Sequence, residues 1–133
     1  MRVTAGGVLY ENDRVLLARR QRDRAYYPGV WDIVGGHCRG AETPERTLCR
    51  ELQEELGIVP VRYREIGIFP EPNPEKHGPG EHHVFVVTQW SGSPHNKSEE
   101  HESFGWFSKA ELREIDLASP DYVCVLEGIF ENT

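Results

Sequence analysis

The stretch Gly36-His37-Cys38-Arg39-Gly40-Ala41-Glu42, followed after seven residues by Arg50-Glu51-Leu52-Gln53-Glu54-Glu55-Leu56-Gly57-Ile58, decides how this chain is read. Its second half lies in a segment that predicts a helix over 43–56. Thr43 suits the N-cap, Pro44 the first helical position, Glu45 the positive end of the dipole and Gly57 a left-handed C-cap. Leu48, Leu52 and Leu56 recur every four residues as an apolar stripe. Glu51, Glu54 and Glu55 stand three and four apart, so they share one face beside that stripe, at the rim of a core where a cleft can form. Like charges at this spacing cost roughly 0.2–0.5 kcal/mol per pair. A divalent cation removes that repulsion, and a few hard oxygen ligands are what Mg²⁺ takes alongside phosphate. Three glutamates alone would read as a solvated acidic face, with Arg50 paired to Glu54. The glycine pair ahead, Glu42 at the approach and Gly57 at the end change that reading.

Outward from the helix, alternating and apolar runs predict strands over 3–10, 15–20, 30–34, 61–69 and 82–90, with a shorter one over 104–107. Gly35-Gly36 is expected to break the third of these. Pro70 to Glu81 holds four prolines and two glycines and reads as a loop, as does the polar span Ser91 to Ser103. Short helices are expected over 109–115 and 120–130. Strands interleaved with helices predict one α/β (α+β) domain over 1–133, a mixed sheet sandwiched between helices.

The quoted stretch resembles the Nudix box, G-x5-E-x7-R-E-U-x-E-E-x-G-U, where U is a bulky aliphatic residue. All nine fixed positions from Gly36 to Ile58 match, with Leu52 and Ile58 at the two U positions. Trp31 ahead of the glycine pair, and Trp106-Phe107 followed by Ala110-Glu111-Leu112, also look like features of the family. The resemblance implies a Nudix fold and hydrolysis of a phosphoanhydride bond in a nucleotide-like small molecule, with Mg²⁺ or Mn²⁺ as cofactor. It implies Glu51, Glu54, Glu55 and Glu100 as metal ligands, joined by the carbonyl of Gly35 or Gly36, with Glu42 and Arg50 bracing the helix. The general base is either Glu51 or a glutamate of the 99–102 cluster, where Glu100 matches best by its distance ahead of Trp106 and Glu102 is next. Glu54 is counted with them as a catalytic residue. Asp121 matches, by spacing, a base-recognition position of triphosphate-cleaving members.

Arg19, Arg20, Arg22 and Arg24, with Arg39 nearer the box, are candidates for phosphate or base contacts, since a guanidinium binds phosphate with two parallel bonds. They matter because the formal net charge is −7. That balance excludes general binding to duplex nucleic acid or an anionic membrane, and it makes a metal bridge or a cationic patch necessary for a polyphosphate substrate. No apolar run is long enough to span a bilayer, and the N-terminus enters a strand pattern without a signal-peptide core, which predicts a cytoplasmic protein. Three widely spaced cysteines predict free thiols rather than a disulfide framework. Among substrates, a nucleoside triphosphate, oxidised ones included, cut to monophosphate and pyrophosphate fits a short chain. The alternative is a nucleoside diphosphate sugar of the ADP-ribose type, for which Pro74 stands at the expected distance after the box. A non-catalytic nucleotide-binding module would be expected to have lost box glutamates, and all are present. The residues do not choose between monomer and homodimer.

Overall fold

The computed structural model describes residues 1–21, 29–97, 99 and 101–132. Seven strands form the sheet: β1 (Arg2–Glu11), β2 (Arg14–Arg20), β3 (Trp31–Asp32), β4 (Val34–His37), β5 (Val59–Pro70), β6 (Gly80–Ser91) and β7 (His101–Phe107). The helices are α1 (Pro44–Leu56), α2 (Pro74–His77) and α3 (Tyr122–Asn132), with a 3₁₀ turn over Ala110–Arg113. The strand order is β3-β2-β1-β6-β5, with β4 also paired to β1 and β7 to β2. β1 runs parallel to β6 and antiparallel to β2 and β4, so the sheet is mixed as expected. The β1–β2 hairpin turns on Asn12 and Asp13, both at positive φ, the geometry that matches the twist of two adjoining strands.

Alternation along the strands builds two cores. Ala5, Leu9, Leu16, Ala18, Phe85 and Val87 pack with Leu48, Leu52 and Leu56 of α1. Val8, Val15, Leu17, Val84 and Val86 pack with Tyr122, Leu126 and Ile129 of α3. The sheet is thus sandwiched between α1 and α3. Helix α1 begins and ends as its sequence dictates. Thr43 Oγ1 accepts from Arg46 N–H at 3.2 Å, and Gly57 at φ 71° donates its N–H to the Gln53 carbonyl.

Several boundaries differ from expectation. Gly35-Gly36 does not break a strand but lies inside β4, opposite Gly6 and Ala5 of β1. A side chain on Gly35 would collide with the Ala5 carbonyl, so the glycines mark close backbone approach rather than a turn. The proline-rich loop is shorter than expected, because β5 runs through Pro70 and β6 begins at Gly80. Between them Asn73 caps the single turn of α2, its side chain accepting from Lys76 N–H at 3.1 Å. Strand β7 begins at His101, inside the expected polar loop, because it pairs with β2 as far as Arg20. The helix expected over 109–115 is only the 3₁₀ turn, and the last helix starts two residues later than expected. All three cysteines are free. Among the described residues no helix is long and apolar enough to cross a membrane.

Candidate active site

The box folds as β4, a loop and α1, with Arg50 as the hub. Its Nε donates to Glu42 Oε2 at 2.7 Å and Nη2 to Glu42 Oε1 at 2.9 Å. Nη2 also reaches the His37 carbonyl at 2.9 Å, while Nη1 donates to Glu51 Oε1 at 2.9 Å and Glu54 Oε2 at 3.3 Å. Glu42 Oε1 accepts further bonds from Arg39 N–H and Thr47 Oγ1. These bonds, the Arg50 pair first, hold the Glu42 carboxyl down at about 2 and raise the Arg50 guanidinium. Arg50 and Glu42 therefore stay charged together across the working range, and they tie the approach loop to α1.

The three helix glutamates differ in setting. Glu51 and Glu55 are buried on successive turns, at 7% and 3% exposure, whereas Glu54 is exposed and shared between Arg50 and Arg39, the latter at 3.7 Å. Gly36 packs against Glu51 so closely that a Cβ there would collide with the carboxylate. Among the described residues no group of three His, Cys, Asp or Glu stands ready to hold an ion. Arg50 takes up Glu51 and Glu54 together, which keeps the set from closing as a cage. The donors still suit a hard divalent cation: two carboxylates withdrawn from water, a third at the rim, and a backbone strand with no side chain between them.

A cleft of about 170 Å³ opens on the β4 side of the box. Its walls include Gly35, Gly36 and His37 of β4, Arg20, Asp32, His82, His101, Ser119 and Tyr122, with Arg2 and Glu71 paired at 3.0 Å. Gly36 thus belongs both to the cleft wall and to the Glu51 contact. Burial pushes the Asp32 carboxyl up to about 6, against the pull of Arg20, whose Nη1 lies 3.7 Å from Asp32 Oδ2. Burial also holds His82 down at about 4, so its ring is neutral; Nδ1 stands 2.6 Å from Thr4 Oγ1. The cleft therefore offers a neutral aromatic wall beside an ionisable pair.

Of the expected substrate contacts, Arg20 lines the cleft. Arg39 is instead on the box loop, exposed and paired to Glu54. Asp121 is exposed and off the cleft wall, while its neighbours Ser119 and Tyr122 are on it. Arg19 donates through Nε to the Gly29 carbonyl at 3.1 Å. Arg22, Arg24 and Glu100 lie outside the described residues. Glu99 and Glu102 are exposed, whereas His101, between 99 and 102 in the acidic cluster, is buried with Nδ1 3.6 Å from Glu55 Oε1. Asp32 and His101 were not singled out from the sequence. The signal for Asp32 was its place just ahead of the glycine pair; for His101, that β7 begins there rather than at Phe104.

A family model described as NUDIX domain matches residues 1–127. The 8-oxo-dGTP diphosphatase of Escherichia coli (strain K12) is 29% identical over 117 residues, 88% of this chain and 87% of that protein. The ADP-ribose pyrophosphatase of Methanocaldococcus jannaschii is 26% identical over 85 residues, 64% of this chain and 49% of that one. Among solved structures, the MutT NUDIX hydrolase from Burkholderia pseudomallei superposes with a TM-score of 0.76 at 31% identity, covering 90% of this chain and 88% of that one.

Proposed function

The chain belongs to the NUDIX family and is a hydrolase of pyrophosphate bonds, and on that premise we propose that it cleaves a nucleoside triphosphate, oxidised ones included, to the monophosphate and pyrophosphate. The observation that supports this reading is the continuity of cleft and box through Gly36, which lines the cleft and packs against the Glu51 carboxylate of α1. Similarity to the diphosphatase along most of both chains supports the same substrate class.

Glu51, Glu54, Glu55 and the Gly36 carbonyl would hold Mg²⁺ or Mn²⁺, with Glu100 completing the set. When bound, the ion neutralises phosphate charge and lowers the pKa of a bound water. The chain's own contribution is mainly placement. Arg50 orients Glu51 and Glu54, and Glu42 keeps Arg50 in place. Arg20, Asp32, His82 and Tyr122 would receive the nucleoside, and Arg24, Arg39 and Asp121 remain proposed as outer contacts. The attacking water gives its proton to a glutamate, Glu100 or Glu51. The overall charge of −7 suits a free nucleotide rather than a duplex as substrate, and the setting proposed with it is cytoplasmic.

The ADP-ribose reading has less support. Pro74, which suggested it, is the first residue of α2 behind the Asn73 cap, so the helix start already accounts for it. Turnover with Mg²⁺ across a panel of plain and oxidised nucleoside triphosphates, ADP-ribose and other diphosphate sugars tests the choice. Pyrophosphate release from triphosphates is expected. Cleavage confined to diphosphate sugars would replace this reading with the alternative, and no turnover of any would leave a binding module.

A further inference from the structure

Glu55 has the least exposure of the box glutamates, and both of its carboxylate oxygens are buried. A charge so placed must be held by its surroundings. Two of those surroundings come from one part of the chain. Lys97 N–H donates to the Glu55 backbone carbonyl at 3.0 Å, and His101 Nδ1 faces the Glu55 carboxylate at 3.6 Å. His95 N–H donates to the Leu56 carbonyl at 3.0 Å, and Lys97 Nζ reaches the Gln53 carbonyl at 3.5 Å. The last carbonyls of a helix have no partner inside it, so residues 95–97 act as a cap on the C-terminal turn of α1. Asn96 Nδ2 then donates to the His101 carbonyl at 3.1 Å, which ties the cap to the start of β7. There His101 pairs with Arg20 at a register shift between Arg19 and Arg20, an irregularity of the kind that re-aims a side chain.

We propose that His101 is a positioning residue that holds the Glu55 carboxylate in its ligating orientation, with residues 95–97 keeping the two in register by capping α1. The proposal rests on Glu55 as a metal ligand. At 3.6 Å the imidazole is within ion-pair range and beyond hydrogen-bond length, so its role is to orient the carboxylate through its polar Nδ1 edge. It also lines the cleft, which places one side chain against both the ligand set and the substrate recess. Loss of a group supporting a metal ligand typically costs roughly 10–100-fold in metal affinity or activity.

Mn²⁺ binding to the nucleotide-free protein, followed by electron paramagnetic resonance, is compared for the parent, His101→Leu, His101→Asn and Glu55→Gln. Leu is expected to weaken binding roughly 10–100-fold, and Asn, which keeps a donor near the Nδ1 position, to recover most of it. In turnover, kcat is expected to fall with nucleotide KM little changed. Parent-like Mn²⁺ affinity in His101→Leu overturns the proposal. Should that variant not fold, the His101 ring ¹⁵N resonances of the parent serve instead. They are expected to move on Mg²⁺ titration and to stay still in Glu55→Gln; a parent ring that does not respond overturns the proposal equally. Parent-like Mn²⁺ affinity in Glu55→Gln would instead remove the ligand assignment beneath it.

Discussion

Asp32 is a carboxyl on the cleft wall that is held there at the fold's expense. Its folded-state value of about 6 lies above the ordinary 3.8, so the folded chain holds that proton more tightly than the unfolded one. Stability from this group is full below pH 4 and falls as pH rises to about 6, by on the order of 2–3 kcal/mol. Asp32→Asn is therefore expected to raise Tm at pH 8 and leave it unchanged at pH 4, while altering the ranking of nucleotides. An equal Tm change at both pH values would show that the carboxyl is not strained by burial. The general base is also a question at this scale. Glu100→Gln, Glu102→Gln and Glu51→Gln are compared in kcat, with a loss of ~10²–10⁴-fold expected for the true base. Full kcat in Glu100→Gln beside collapse in Glu51→Gln would place the base in the helix. The Glu42–Arg50 contact was legible from sequence because both residues match fixed positions of the family's box, joined by one loop and one helix. Asp32 and His101 were not, because burial and a partner on another strand define them.

At the scale of elements, caps and the leucine stripe made α1 readable almost to the residue, since every signal there is local. The glycine pair misled because a break and a close approach use the same residue type. Only the β1 partner, more than twenty-five residues away in sequence, distinguishes them. The proline segment misled in the opposite sense: long strand pairing absorbed both of its ends, leaving residues 71–79 as the connection. That connection is anchored to the start of β1 by the Arg2–Glu71 pair and contributes Glu71 and Pro72 to the cleft wall. Its expected role is to shape substrate choice rather than chemistry. Replacing 72–78 by a short glycine-serine turn is expected to reorder the nucleotide panel with Mn²⁺ affinity unchanged. Asp121→Ala, at an exposed position off the wall, is expected to reorder it far less. A uniform fall in kcat for all substrates in the loop variant would mean that the connection only supports the fold.

Over the whole molecule, the sheet separates two tasks. The α1 face carries the box and the α3 face contributes Tyr122 to the recess, so the site is completed only when both faces are packed. The sandwich was legible as a class because strands and helices alternate along the chain, but the strand order was not, since nothing local states which strands become neighbours. That order gives β1 a particular position. It precedes the other described strands in the chain, and its parallel partner, β6, lies across a sequence separation of 78 residues at the Thr4–His82 contact. Pairings this distant must close a long loop before any contact rewards them, and chains built on them refold slowly. During synthesis from the N-terminus, β1 can form its hairpin with β2 at once, but it must wait with its other edge open until β6 has emerged. The glycine pair of β4 does not cover that edge, because β4 pairs with Thr4, Ala5, Gly6 and Gly7 on the side of β1 opposite β6. The first strand of the box therefore completes only the hairpin side of β1, and the edge that faces β6 stays an aggregation-prone surface in the nascent chain until that distant partner is made.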